Sequence, residues 1–316
     1  GGPYSVAYSE AFYRPFEQET GVTVANVSRD TEPVAQFRAM VEAKSYIWDV
    51  CTLAGPAYVS LRGQGLLHDM GLRTEDYPDF MEGAIQNDWM ALDVYSTVSA
   101  FRTDRYADNR PTRLEDLWDV ETFPGRRGMY QSPVWTLEQA LMADGVDKDE
   151  VYDVLATEEG QERAFNKLAE LRPHVVWWES GAPPLQLLAS GEVAMTSAYN
   201  GRITGINRSE GKNFQVVWPG SIYSIDSWVI LKDAENKDAA LDFIAFASLP
   251  ENQSKLPEHV AYGLPVLAAA GLVPEEYARD LPTNPDNLPE AISLDTDFWI
   301  DNAETLTERF NAWLLN

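Results

Sequence analysis

Short apolar strands alternate with amphipathic helices along this chain, and that alternation predicts an α/β fold. Helices are predicted where apolar residues recur three and four positions apart, at Ala11–Thr20, Pro33–Lys44, Leu137–Ala143, Glu158–Leu171, Pro184–Ser190, Lys237–Ser248 and Asp301–Leu315. Strands are predicted at the apolar runs between them, at Val22–Val27, Ile47–Leu53, Tyr95–Phe101, Met129–Gln131, Val175–Trp178 and Val193–Tyr199.

The stretch from Gln215 to Leu231 is predicted to form two strands. The first ends at Trp218, before a Pro-Gly pair, and the second begins at Ser227. Asp226 stands between them, among aromatic and hydroxyl side chains. A carboxylate beside an apolar strand is costly unless it faces water, a partner or a ligand. Two interpretations therefore remain open, a loop-capping acid and a ligand-binding acid.

The size and charge of the chain limit what it can bind. Its 316 residues are enough for two domains. Fifty acidic residues against 24 Lys plus Arg give a formal net charge of −26, which repels nucleic acid and anionic membranes and attracts cationic solutes. Solubility in a salty or extracellular setting explains the same charge equally well, so acidity alone names no ligand.

Cysteine content and hydropathy exclude two further features. The single cysteine, Cys51, cannot form an internal disulfide, and its apolar neighbours predict a buried thiol. No apolar run approaches the roughly 18 residues that a membrane span requires. The sequence shows no signal peptide, so targeting segments give no localisation.

Motifs for catalysis or metal binding are weak. The three histidines lie far apart and form no HExxH pattern. The segment Gly205–Lys212 lacks the Ser or Thr that a phosphate loop needs after its lysine, and Ser209–Lys212 is an SxxK tetrad without its partner motifs. We therefore predict no catalytic residue, no metal site and no cofactor.

What remains is a set of aromatic, hydroxyl and charged residues near predicted strand ends. Open α/β sheets bind ligands at the carboxyl ends of their strands. Aromatic faces suit an aliphatic or ammonium-bearing ligand, and Asp226 would pair with its cation. The candidates are Tyr4, Tyr95, Ser96, Trp135, Trp178, Ser180, Tyr199, Arg202, Tyr223, Asp226 and Tyr262.

Several segments together resemble the polyamine (spermidine/putrescine) group of periplasmic solute-binding proteins of ABC importers, a group that includes binders of 4-aminobutyrate. The similar segments are Gly1–Tyr4 with Pro15–Gly21 (ligand loop and first helix), Gly65–Leu67 ("GLL"), Leu117–Asp119 with Phe123–Met129 ("LWDP…PGKVG"), Gly191–Met195 with Tyr199–Ile203 ("GEVAM…WNGR") and Asp226–Ile230 ("D-x-WVIPK"). They follow the family's order over nearly the whole chain.

The resemblance implies a type II periplasmic-binding-protein fold, with two α/β lobes joined by hinge strands that close on ligand. It places lobe 1 at residues 1–101 plus 226–268 and lobe 2 at residues 102–225 plus 269–316. It also implies that Asp226 accepts the ligand's ammonium group, that Tyr199 replaces a cleft Trp, and that Tyr262 is a cleft Tyr. The strand that precedes the Gly-Gly loop in this family is absent, so the sequence is expected to be trimmed.

The ligand expected from these residues is an amine. A long dication needs an acid at each end, and only one is evident, while Ser224 stands where spermidine binders carry Trp. Arg202 can bind a carboxylate through two parallel hydrogen bonds. The predicted helix start at Ser180 is a second position that can bind an anion. A zwitterion such as 4-aminobutyrate fits this pattern, with an interlobe or surface ion pair as the alternative role of Arg202.

By resemblance, we expect a monomeric, non-enzymatic periplasmic protein that passes a polyamine or ω-amino acid to an inner-membrane ABC permease. Two other functions remain open: a cleft hydrolase that uses Asp226, and a receptor that signals without transport.

Overall fold

The computed structural model describes residues 3–27, 33–106 and 108–315, and it has the predicted mixed α/β architecture. Contacts divide the chain into two compact units. Unit 1 comprises Gly1–Tyr95 and Ser224–Asn284, and unit 2 comprises Ser96–Tyr223 and Pro285–Asn316. The chain passes from one unit to the other inside two long strands and once more in a loop.

The helices are, in chain order, α1 (Pro3–Tyr8), α2 (Arg14–Thr20), α3 (Val34–Ala43), α4 (Gly55–Gly63), α5 (Thr136–Ala143), α6 (Val151–Leu155), α7 (Glu158–Leu171), α8 (Pro183–Ser190), α9 (Asn200–Glu210), α10 (Lys237–Ala247), α11 (Pro250–Gln253), α12 (Leu256–His259), α13 (Glu275–Ala278) and α14 (Thr296–Leu315). A π-helical turn, Ser9–Tyr13, joins α1 to α2. The strands are β1 (Val50–Ala54), β2 (Ile85–Gln86), β3 (Trp89–Arg102), β4 (Arg127–Tyr130), β5 (Val175–Trp178), β6 (Met195–Tyr199), β7 (Phe214–Ile230) and β8 (Ile292–Ser293).

In unit 1, β1 pairs antiparallel with the second half of β7, from Val50 opposite Ile230 to Ala54 opposite Asp226. The start of β3 pairs with β2. An apolar core packs α1, α2 and α10 against these strands, with Phe12, Trp228 and Phe243 among its members. Cys51 belongs to this core, so the predicted buried thiol is confirmed.

In unit 2, the second half of β3 pairs antiparallel with β6, β6 pairs parallel with β4, and β4 pairs parallel with β5. Parallel strands joined through helices are covered on their faces and are therefore apolar throughout. A core of side chains from α5, α7 and α14 includes Leu141, Phe165 and Phe310. The first half of β7 pairs with β8 through Ile222 and Tyr223.

The boundaries between units differ from the predicted lobe boundaries. The structure divides the chain after residues 95, 223 and 284, so residues 96–101, 224–225 and 269–284 lie in the other unit from the one predicted. Strand β3 changes neighbours at this point, because Val94 bridges Gly263 whereas Thr97 pairs with Tyr199. Residues up to 284 are held in unit 1, where Thr283 Oγ1 accepts a hydrogen bond of 3.1 Å from Leu264 N.

One predicted strand and one predicted break between strands are wrong. Val22–Val27 forms no strand and pairs with no described strand. A cavity of about 500 Å³ is lined by this segment and by residues of β1. The predicted break at Pro219 and Gly220 is absent, and β7 continues through it. Gly220 has φ of +77°, which a glycine adopts without strain, and a side chain there would collide with Leu114. The strand therefore bends and continues.

Candidate ligand-binding site

The predicted site residues fall into two groups, one in each unit. Unit 1 contains Tyr4, Tyr95, Asp226 and Tyr262, and unit 2 contains Ser96, Trp135, Ser180, Tyr199, Arg202 and Tyr223. Gly1 and Gly2 of the predicted ligand loop lie outside the described residues. Pro3 and Tyr4, which belong to the same predicted loop, are instead the first residues of α1.

Asp226 lies inside β7, at the last pair of the ladder with β1, and is half-buried. Its Oδ2 accepts a hydrogen bond of 3.1 Å from the Tyr4 hydroxyl. The loop-cap interpretation is wrong, because the residue sits within a continuous strand. A half-buried carboxylate that receives a phenolic hydroxyl retains the capacity to accept further donors.

Tyr4, which donates to this carboxylate, belongs to a group of tyrosine rings in unit 1. The Tyr4 ring centroid lies 4.2 Å from that of Tyr8 and 5.8 Å from that of Tyr262. Tyr262 in turn lies 6.1 Å from Tyr95. Their hydroxyls and ring faces form an aromatic wall of the kind that attracts an alkylammonium group.

A second acid, Asp93 of β3, was missed by the sequence reasoning. It is fully buried, and its Oδ2 accepts a hydrogen bond from the Tyr8 hydroxyl. Burial raises the pKa of Asp93 well above its ordinary value, and the charge of Asp226 raises it further. The signal was present as an acid between Leu92 and Val94, but the predicted strand began two residues later.

An aromatic cluster marks the group in unit 2. The Tyr199 ring lies 5.6 Å from Trp135 and 6.0 Å from Trp178, and Tyr130 contacts both tryptophans. Trp135, just before α5, has φ of +65°, a conformation that side-chain-bearing residues rarely adopt. Strained backbone of this kind occurs preferentially at functional sites.

Arg202 lies in the first turn of α9, a helix that the sequence reasoning did not predict. It is exposed, and no carboxylate in the described ranges 3–27, 33–106 and 108–315 forms an ion pair with it. A cation at a helix N-terminus opposes the helix dipole, so its own charge and the dipole both favour an anion there. The arrangement is chemically suited to a carboxylate.

The remaining predicted residues of unit 2 differ in exposure. Ser180 is exposed, in the turn before α8. Ser96 is fully buried, and its backbone N–H donates to Asn200 Oδ1 at 2.9 Å, which holds the start of α9 against β3. Tyr223 is half-buried and pairs with Ser293 of β8.

Two further properties follow from the described part of the chain. It contains no cluster of three or more His, Cys, Asp or Glu side chains placed to hold a metal ion. No helix in that part has the length and apolar character needed to cross a membrane.

Comparisons with known proteins agree with the resemblance read from the sequence. Residues 11–283 match the family model described as "Bacterial extracellular solute-binding protein". The chain is 40% identical, over 99% of its length and 88% of the relative's, to the gamma-aminobutyric acid-binding protein of Pseudomonas aeruginosa. It is 35% identical to the spermidine/putrescine-binding periplasmic protein of Escherichia coli, over 40% of this chain and 36% of that one.

A solved structure shares the whole fold. The ABC transporter substrate-binding protein from Bradyrhizobium japonicum superposes with a TM-score of 0.88 at 32% identity, covering 99% of this chain and 97% of that one.

Proposed function

The chain belongs to the bacterial extracellular solute-binding proteins, and we propose that it captures 4-aminobutyrate or a closely related ω-amino acid for an ABC importer. The observation that carries the choice of ligand is the pair of opposite charges, Asp226 in unit 1 and Arg202 in unit 2. A molecule with an ammonium group at one end and a carboxylate at the other offers a partner of opposite charge to each of these two side chains.

In unit 1, Asp226 and the Tyr4 hydroxyl supply acceptors to the ammonium group, with Tyr95 and Tyr262 as walls. An ammonium group has three donors, and a charge-assisted hydrogen bond to a carboxylate is about twice as strong as a neutral one. This part of the site accepts any primary amine and does not by itself distinguish 4-aminobutyrate from putrescine.

In unit 2, Arg202 supplies the discrimination. Its guanidinium group offers a planar fork of donors that matches a carboxylate, and the start of α9 adds the positive end of a helix dipole. A second ammonium group would be repelled there. A polyamine would instead need an acid at the position of Arg202. In addition, the relative that binds 4-aminobutyrate aligns over far more of the chain than the spermidine/putrescine binder does.

Replacing Arg202 with Gln is expected to weaken 4-aminobutyrate binding by about tenfold to a hundredfold, because a charge-assisted bond contributes about 1.5–3 kcal/mol. Binding of n-butylamine, which lacks the carboxylate, is expected to change by less than about twofold. Isothermal titration calorimetry measures both affinities, and Arg208→Gln, exposed on the same helix, is the matched control. Equal losses for both ligands would contradict the role of Arg202.

Replacing Gly181 with Ala is expected to weaken 4-aminobutyrate binding by about three- to tenfold without loss of stability. A Cβ at this position would lie 2.6 Å from Arg202 Nε and 3.0 Å from a Tyr199 ring carbon. The Arg202 side chain is flexible and moves away, so the fold survives and the guanidinium group is misplaced. Calorimetry and thermal denaturation together check this, and an unchanged affinity would show that Arg202 need not occupy its present position.

The comparisons support a proposal for the cellular role. The family model describes extracellular solute-binding proteins, and the spermidine/putrescine-binding relative is a periplasmic protein. The structural neighbour from Bradyrhizobium japonicum is an ABC transporter substrate-binding protein. With this support, we propose that the chain acts in the periplasm as a non-enzymatic monomer that delivers its ligand to an inner-membrane permease.

A further inference from the structure

The cavity of about 500 Å³ in unit 1 is lined by residues of β1, by residues of α10 and by residues 22–27. Within the described ranges 3–27, 33–106 and 108–315, β1 is the last strand of its sheet and pairs with β7 alone. Leu231 N donates to Asp49 O at 3.2 Å, at the residue pair just before the β1–β7 ladder. Because successive residues of an antiparallel ladder direct their backbone groups to alternate sides, those of Val50 face away from β7, and Val50 lines the cavity. The cavity therefore borders a sheet edge, which proteins normally cover.

Residues 22–27 form another wall of the cavity, and their composition is typical of a strand. Four of the six are β-branched, which is the side-chain type most favoured in strands, yet none of the six belongs to a strand. Val22 and Val27 are 40% and 50% exposed, and Ile47, which also lines the cavity, is 61% exposed. Large apolar side chains thus lie exposed around the cavity.

Two tryptophans that line the cavity carry buried donors. Trp48 and Trp228 are buried, and neither indole Nε1 has a hydrogen-bond partner within the part of the chain that the structure describes. A buried donor without an acceptor is destabilising, because it has lost its bonds to water. The occupant that suits this cavity therefore combines apolar side chains with hydrogen-bonding groups. A β-strand provides both, since its amides and carbonyls point out along each edge.

We propose that a further β-strand of this protein, joined to the N-terminal side of Gly1, occupies the cavity and completes the sheet of unit 1 between β1 and residues 22–27. Tyr4 and Ser5 of α1 line the cavity, so chain that leads into α1 from this side reaches it directly. The gamma-aminobutyric acid-binding relative supports such a segment, because it aligns with 99% of this chain but with only 88% of its own length.

The contacts of α1 give the direction of this strand. The Tyr4 hydroxyl donates to Asp226 Oδ2, and Asp226 lies opposite Ala54, the last residue of β1. The start of α1 is therefore near the end of β1, so a strand that leads into α1 runs parallel to β1. Helices α1 and α2 then form the crossover to residues 22–27, and they supply the dozen or more residues that a parallel connection requires. Parallel strands covered on both faces are apolar throughout, so we expect an apolar strand of about five residues, the length of β1.

The test compares three forms of the protein. They are the 316-residue chain, the same chain with Lys-Val-Ile-Val-Ala-Val fused before Gly1, and a control in which the central Val of that fusion is Pro, which a sheet interior excludes. Hydrogen exchange measured by mass spectrometry reports amide protection in each form. We expect the valine fusion to slow exchange by at least about tenfold in peptides that contain Val50 or residues 22–27, and to leave α7 of unit 2 unchanged. The proline control should exchange like the 316-residue chain.

Four results would overturn the inference. Slow exchange at Val50 in the monomeric 316-residue chain would mean that this chain already covers the edge of β1. Equal protection by the two fusions would mean that added length matters and a strand does not, and a soluble valine fusion without protection would exclude the strand. A dimer with protected β1, detected by sedimentation of the 316-residue chain, would assign the cavity to a second copy. If the valine fusion aggregates, the two peptides added in trans to the 316-residue chain give the same comparison.

Discussion

Asp226→Asn is expected to weaken 4-aminobutyrate binding by about 30- to 900-fold. The substitution keeps the shape of the side chain and an oxygen that can accept the Tyr4 hydroxyl, so strand β7 and its pairing with β1 survive. It removes the negative charge that balances the ammonium group. Stranding one partner of a half-buried charge pair costs about 2–4 kcal/mol, which corresponds to the stated loss.

Calorimetric titration of folded Asp226→Asn against the wild-type protein measures this loss. The control is Asp242→Asn, an exposed acid on α10 of the same unit, which lowers the net negative charge by the same amount. The control is expected to bind like the wild-type protein. Wild-type affinity in Asp226→Asn would mean that the ammonium group binds elsewhere.

Glu138→Gln is expected to stabilise the protein at neutral and alkaline pH by about 2–3 kcal/mol. Glu138 lies on α5, is fully buried in the core of unit 2, and accepts hydrogen bonds from Trp299 Nε1 at 2.6 Å and the Tyr152 hydroxyl at 3.2 Å. Burial raises the pKa of Glu138 from 4.5 to about 7, against the smaller opposing effect of those hydrogen bonds.

The sign follows from proton linkage. Because the folded state binds this proton more tightly than the unfolded state, the contribution of Glu138 to stability is largest below pH 4.5 and is lost as pH rises to about 7. Glutamine is never ionised and retains an oxygen for Trp299 and Tyr152. The stability gap between variant and wild type should therefore grow from pH 4.5 to about 7 and stay constant above it.

Urea denaturation between about pH 4.5 and 8.5 measures the gap. Glu162→Gln, an exposed acid on α7, is the matched control and should show a small, nearly pH-independent difference. A destabilised Glu138→Gln at pH 8 would show that the ionised carboxylate is stabilised by its two donors more than burial penalises it.

The elements predicted well are those with strong local signals. The periodic pattern of Glu158–Leu171 and the apolar run Val175–Trp178 match α7 and β5 at both ends. Helix α9 was missed because Gly201 and Gly205 interrupt its pattern, although both lie within the helix. Its start is fixed by tertiary contact, through the hydrogen bond from Ser96 to Asn200.

The site shows the same division between local and tertiary information. Asp226 was singled out because an acid beside an apolar strand is visible in one segment. Asp93 was not singled out, because the groups that define its environment are distant in sequence. They are Tyr8, which lies 85 positions earlier, and Asp226, which lies on another strand. The course of β7 through Pro219 and Gly220 likewise depends on Leu114, which no pattern within that segment reveals.

The measurement that tests the central claim most directly is a titration of the wild-type protein with 4-aminobutyrate, n-butylamine, butyrate and putrescine under one set of conditions. If Asp226 binds an ammonium group and Arg202 binds a carboxylate, 4-aminobutyrate is expected to bind at least about tenfold more tightly than each of the other three ligands. The reason is that n-butylamine lacks the carboxylate, butyrate lacks the ammonium group, and putrescine carries a second ammonium group in place of the carboxylate. Putrescine binding as tight as 4-aminobutyrate binding, or tighter, would contradict the account.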